Sequence, residues 1–222
     1  MRNLILLLAV VCTAFTTAAG EPNFSQLYNS INSSSTKPDQ KVFELAMLGH
    51  DKLLKAGLLK NPDIITVIDV SLESNKKRLW VIDLKNKEVI HNTLVAHGRN
   101  TGEHVAQSFS NQVGSYQTSL GFYVTDLTYN GKHGLSLRLD GVEEGFNDKA
   151  RERAIVVHGA DYVSRQFIET HGRLGRSLGC PALPRAKSKA IINSISQGTC
   201  MFIYYPSKQY LESSPVLKST IL

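Results

Sequence analysis

His158 ends the apolar run Ala154-Ile155-Val156-Val157 and is followed by Gly159 and Ala160. Cys180 stands 22 positions later, in the stretch Gly175-Arg176-Ser177-Leu178-Gly179-Cys180-Pro181-Ala182. A thiol is mostly protonated at neutral pH, its ordinary pKa being about 8.5. A nearby imidazole can take that proton and leave a thiolate–imidazolium pair, a nucleophile suited to acyl transfer. Gly179 would let the backbone approach a substrate closely. The amides of Gly179 and Cys180 would then donate to the oxyanion of the intermediate, where one donor is worth ~10²–10³ in rate. Ser177 would hydrogen-bond within the loop. Gly159 would offer its carbonyl to the other ring nitrogen of His158 and so fix the tautomer. Spacing alone leaves an alternative open: a buried structural histidine, and a disulfide joining Cys180 to Cys200.

Both residues must be carried to one place by the elements around them. Asp39 can cap a helix over 41–57 whose Phe43, Ala46, Met47, Leu53 and Leu54 fall roughly on one face, ended by Gly57 and Pro62. From residue 63 the texture is that of strands. Ile64 to Val70 is β-branched, and Leu79–Asp83 and Glu88–Ala96 flank a short hairpin at 84–87. Leu120–Thr125, Leu135–Leu139 and Ala154–His158 read as further short strands, with Gly and Asn between them. Pro184 introduces a helix over Ala186–Ser196 that Gly198 ends, and Cys200–Tyr205 is a last strand before Pro206. The expected class is mainly β, a sandwich or barrel-like domain over 41–206 with a few packed helices. Residues 21–40, rich in Ser, Asn and Thr, read as a flexible leader, and 207–222 as a loose tail.

Composition bounds the function. The chain has 222 residues, 42% of them apolar and 20% charged, with a net charge of +6. These values exclude collagen, coiled coil and disorder throughout. Residues 1–20 carry Arg2, an apolar run from Leu4 to Val11 and small residues up to Gly20, the layout of a secretory signal peptide. That run is too short to span a bilayer, so no integral membrane segment is expected after cleavage. The reading is therefore an exported protein, periplasmic or cell-wall associated. Its modest positive charge favours anionic surfaces rather than nucleic acid. Cys12 would leave with the signal, so Cys180 and Cys200 remain of the 3 cysteines. His97, His133 and His171 form no His-x-x-x-His pair, so no metal is expected. Tyr123 is a candidate for the flank of the cleft. The chain fixes no oligomeric state.

The strand-His-Gly segment followed by Ser-x-Gly-Cys resembles the catalytic domain of L,D-transpeptidases of the YkuD type. Pro181-Ala182 after the cysteine resembles the murein L,D-transpeptidase catalytic-domain subfamily. Val95-Ala96-His97-Gly98, Ser108-Phe109-Ser110-Asn111, Gly114-Ser115 and Ser119-Leu120-Gly121-Phe122-Tyr123 agree, so the resemblance covers about 40–206. It implies Cys180 as nucleophile, His158 as base, Gly179 and Cys180 as oxyanion donors, and Ser177 as loop support. It implies peptidoglycan stem peptides as substrate and no cofactor. The thiolate would form a thioester with release of a terminal D-alanine, and an amine acceptor would complete a 3→3 cross-link. Water as acceptor would make a carboxypeptidase, and a Cys180–Cys200 disulfide would leave a non-catalytic wall-binding module. Two positions depart from the wider family. Leu178 stands where a histidine is usual, and Ala182 where an arginine is usual. Arg173, Arg176 and Arg185 are candidates to replace that arginine as carboxylate readers, since a guanidinium forks onto a carboxylate. His171 is a candidate for the substrate rim.

Overall fold

The computed structural model describes residues 23–218. The signal-peptide reading of 1–20, with Cys12, lies outside the described residues. Helices α1 (Phe24–Ser30) and α2 (Gln40–Lys55) precede strands β1 (Ile64–Asp69), β2 (Leu79–Asp83), β3 (Glu88–Thr93), β4 (Gly121–Gly131) and β5 (Gly134–Gly141). A 3-10 turn at Asp148–Ala150 leads to β6 (Val156–Ala160), α3 (Arg165–His171), β7 (Ala182–Pro184), α4 (Arg185–Ile195) and β8 (Cys200–Tyr204). Two short helices, α5 (Lys208–Ser213) and α6 (Pro215–Lys218), follow. The expectation of a mainly β domain with a few packed helices holds.

All eight strands form one mixed sheet, ordered β3-β2-β1-β8-β4-β5-β6-β7. β1 with β8 and β6 with β7 run parallel, and the other neighbours run antiparallel. Beyond β3 the chain returns to the far edge, through bridges between Ala96 and Ala182 and between Gly98 and Ser177. Those bridges draw the two ends of the sheet together into a nearly closed, barrel-like curl. β1 shows why the central strands read as continuous apolar runs. Ile65, Val67 and Ile68 are all buried, because both faces of the strand are covered.

The Asp39 carboxylate caps α2, accepting from Lys41 N at 2.9 Å and Val42 N at 3.3 Å. The helix buries Phe43, Ala46, Met47 and Leu53 against β1 and β8, with His50 among them. Leu54, expected on that face, points outward and is 42% exposed. On the other side α4 presents Ile191, Ile192 and Ile195 to β1, β5 and β6.

Several boundaries depart from the sequence reading for local physical reasons. β6 starts at Val156 and not at Ala154, because Ala154 adopts φ 51°, where an extended run cannot continue. β4 extends to Gly131, where a tight Gly131–Gly134 turn leads into β5. β7, with three residues and a proline, is held by its pairing with β6 rather than by propensity. The segment 21–40 is not a loose leader over its described part. α1 is capped by Asn23, Tyr28 packs on Phe43 with ring centroids 5.5 Å apart, and Trp80 Nε1 donates to the Thr36 carbonyl at 2.8 Å. The tail is also not loose over its described part, residues 207–218, where α5 buries Tyr210.

Candidate active site

The parallel pairing of β6 with β7 sets His158 beside Ala182. Cys180 stands two residues before Ala182, so the same register brings its sulfur alongside Val156. The Val156 amide donates to Sγ at 3.5 Å, and the thiol donates to the Ala154 carbonyl at 3.7 Å. Val156 and His158 share one face of β6 and, with Ala154 just before the strand, line a cavity of about 410 Å³ with Cys180, Ser177 and Leu178. Ile155 and Val157, on the other face, are buried in the core. The two residues singled out for chemistry thus share one cavity. In the resting structure the sulfur bonds to the Ala154 carbonyl rather than to the imidazole.

His158 Nδ1 bonds to the Gly159 carbonyl at 3.1 Å, so Nδ1 carries the proton and Nε2 is left as the basic nitrogen. The His133 ring stacks on it, with centroids 4.3 Å apart and an interplanar angle of 21°. Burial lowers the His158 pKa, the Gly159 carbonyl opposes this, and His133, Arg185 and Lys132 add to the lowering. Burial likewise pushes the Cys180 thiol up, against pulls from the Val156 amide, Arg153 and Lys132. Both shifts favour the neutral thiol and the neutral imidazole.

Ser177 ties the loop, accepting from Gly179 N at 3.1 Å and donating to the Cys180 carbonyl at 2.6 Å. This engages the Gly179 amide that sequence reasoning assigned to an oxyanion. Gly179 adopts φ 120°, and a Cβ there would lie 2.8 Å from the Gln117 carbonyl oxygen and 3.2 Å from Arg153 Nη2. The place a side chain would take there is occupied by protein. A side chain there would displace the turn that presents the thiol.

The candidate carboxylate readers are dispersed. Arg176 lines the cavity but pairs with Glu103 at 2.7 Å. Arg173 pairs with the same Glu103 at 2.8 Å and lies outside the cavity. Arg185 pairs with Asp161 at 2.5 Å and lines a separate cavity of about 420 Å³. His171 sits on the exposed face of α3, stacked on Phe167, away from the thiol cavity. Tyr123 is fully buried, its hydroxyl donating to the Ser119 carbonyl at 3.0 Å, so it flanks no cleft. His97 accepts from Arg78 at Nδ1, 2.8 Å away, and meets the Gly102 carbonyl through Nε2. Burial and the neighbouring Arg78 charge hold its pKa down at about 4, a structural histidine.

Sequence reasoning missed Arg153 and Lys132. Arg153 lines the cavity and ties down the chain 110–119, with Nη1 on the Ser110 carbonyl at 2.8 Å and on Ser119 Oγ, and Nη2 on the Gln117 carbonyl at 2.5 Å. Lys132 and His133 form the tip of the β4–β5 hairpin, which Asn130-Gly131 could have announced. None of the residues lining the cavity is an acid.

Both thiols are free. Cys200 is buried on β8 between Ile65 and Val124, with β4 and β5 between it and β6, so the Cys180–Cys200 disulfide does not form. Among the described residues no three His, Cys, Asp or Glu side chains gather as metal ligands, and no helix is long and apolar enough to cross a membrane.

Solved structures similar to this one include an L,D-transpeptidase from Mycobacterium smegmatis, at 13% identity and TM-score 0.39, covering 64% of this chain and 59% of that one. The helical cell shape determining protein Pgp2 from Campylobacter jejuni is similar at 13% identity and TM-score 0.43, covering 65% and 48%. L,D-transpeptidase 3 from Mycobacterium tuberculosis is similar at 12% identity and TM-score 0.41, covering 64% and 61%. This chain thus spans less than two thirds of the length of each. A search of curated protein sequences returns no match. The model of the L,D-transpeptidase catalytic domain matches residues 24–204, a span that holds His158 and Cys180, and the chain belongs to that family.

Proposed function

We propose that the protein is an exported cysteine L,D-transpeptidase acting on peptidoglycan stem peptides, with Cys180 as nucleophile and His158 as its base. One observation carries this reading: the thiol and the basic imidazole share a single acid-free cavity in a chain of this family. Substrate binding draws the thiol from the Ala154 carbonyl to His158 Nε2, as catalytic hydrogen bonds often tighten only in the complex. The S–H proton passes to Nε2 while sulfur bonds to the carbonyl carbon before the terminal D-alanine. The Cys180 amide is the oxyanion donor left free by the Ser177 bond to Gly179. Collapse breaks the C–N bond, and the imidazolium returns its proton to the departing amine. An acceptor amine then attacks the thioester, gives a proton to His158, and leaves the new amide and a free thiol. The signal-like layout of 1–20 supports delivery to the cell wall.

Incubating the purified protein with a disaccharide-tetrapeptide tests this. Intact-mass measurement should find a Cys180 adduct equal to the donor without its terminal residue, and added acceptor should yield 3→3 dimers. Trimmed monomers without dimers would establish the carboxypeptidase instead. Absence of any Cys180 adduct would overturn the acyl-enzyme reading.

A further inference from the structure

We propose that Lys132, at the tip of the β4–β5 hairpin, reads the terminal carboxylate of the donor peptide. This rests on the donor-peptide reading of the Cys180 cavity and names the residue that selects the donor there. Three cations line that cavity: Lys132, Arg153 and Arg176. Arg153 spends both terminal nitrogens on Ser110, Ser115, Ser119 and Gln117. Arg176 Nη1 is held by Glu103 at 2.7 Å and by the Arg99 carbonyl at 2.9 Å. Among the described residues Lys132 has no hydrogen-bond or ion-pair partner, and no carboxylate lines the cavity to supply one.

The hairpin is fixed over the chemistry. Gly131 pairs with Gly134 to close the turn, and the adjacent His133 lies on the His158 ring at 4.3 Å. Lys132 is close enough to pull on the Cys180 thiol electrostatically. Position 182 can supply no cation, because Ala182 is fully buried beside His158 and Ala96. In a donor with one residue beyond the attacked carbonyl, the terminal carboxylate lies only three bonds from that carbon. A cation beside the thiol is thus within reach of it. An ammonium on a flexible four-carbon stem suits a carboxylate that moves during attack better than a fixed fork does.

The test compares two donors identical except that one ends in a free carboxylate and the other in a carboxamide. Cys180 acylation is followed by intact mass for the wild type, Lys132→Met and Lys132→Arg. The wild type should prefer the carboxylate donor about 10- to 100-fold in kcat/KM, the range of a charged hydrogen bond. Lys132→Met should bring that preference near one, and Lys132→Arg should keep most of it. A wild-type preference retained in Lys132→Met, with both donors slowed alike, would overturn the assignment. Acylation of the wild type by neither donor would instead sink the donor-peptide reading, and the role of Lys132 with it.

Discussion

The sulfur of Cys180 and the imidazole of His158 are both pushed by burial toward their neutral forms. Cations near the thiol pull the other way but do not win, and the Gly159 carbonyl does not offset the burial of His158. Shifts of both groups toward their neutral forms predict a particular pH dependence. Iodoacetamide labelling of Cys180 should accelerate as pH rises, with its midpoint above that of an ordinary thiol, because only the thiolate alkylates. A midpoint well below that value would mean the sulfur rests ionised. In His158→Ala, acylation by a donor peptide should fall about 10²–10⁴-fold at neutral pH. The gap should close toward alkaline pH, where the thiol ionises without a base. A wild-type rate at pH 7 would remove His158 from the role. His158 and Cys180 were legible in the sequence because a strand-ending histidine and a glycine-loop cysteine announce themselves by type. Lys132 and Arg153 were not, because nothing local to either signals nearness to a residue tens of positions away. Tyr123 misled for the converse reason: its aromatic type suits a rim, but its register on β4 turns it into the core.

Positioning is the work of the elements. The strands were legible where alternating or β-branched runs met clear turns, as in β1, β2 and β8. β7 was not, since its three residues are extended only because β6 lies beside them. α3 was hidden inside the long interval between His158 and Cys180. Ala154 is the sharpest case, because an apolar residue in an apolar run leaves the strand through a positive φ that only the surrounding turn imposes. The neighbouring Arg153 binds four groups of the 110–119 segment, which contributes the wall nearest Gly179. Arg153→Met would leave the Gln117 carbonyl without its side-chain donor and would strip one donor each from the Ser110 carbonyl and the Ser115 and Ser119 hydroxyls. The expected loss is about 1–3 kcal/mol of stability, the range for orphaned half-buried polar groups. Hydrogen exchange should quicken at 110–119 before other segments, and Cys180 acylation should slow with it. Unchanged exchange in that segment would show that the loop holds its shape without the arginine.

At the scale of the whole molecule, one buried carboxylate fastens the C-terminal segment to the sheet. Glu143 accepts from Phe122 N at 2.6 Å, from the Tyr210 hydroxyl at 2.9 Å and from Ser214 Oγ. Gly121, at φ 110°, leaves space for it, since a Cβ there would fall 2.1 Å from Glu143 Oε2. The tail past Pro206 looked loose in sequence because its one buried aromatic, Tyr210, follows no amphipathic run, and its partner lies 67 positions away. Burial raises the Glu143 pKa above its ordinary 4.5 despite the hydrogen bonds that favour the charged form. Between 4.5 and that raised value the native state holds the proton more firmly than the unfolded chain does. Stability must therefore fall as pH rises through this window, by up to about 1.4 kcal/mol per pH unit. Glu143→Gln keeps the shape and has no proton to lose. Urea unfolding of both proteins across the window should show the wild type's advantage greatest at the acid end and shrinking as pH rises. A difference that stays constant with pH would mean that Glu143 takes up its charge within the fold as readily as in the unfolded chain, and that the hydrogen bonds from Phe122, Tyr210 and Ser214 fully offset its burial.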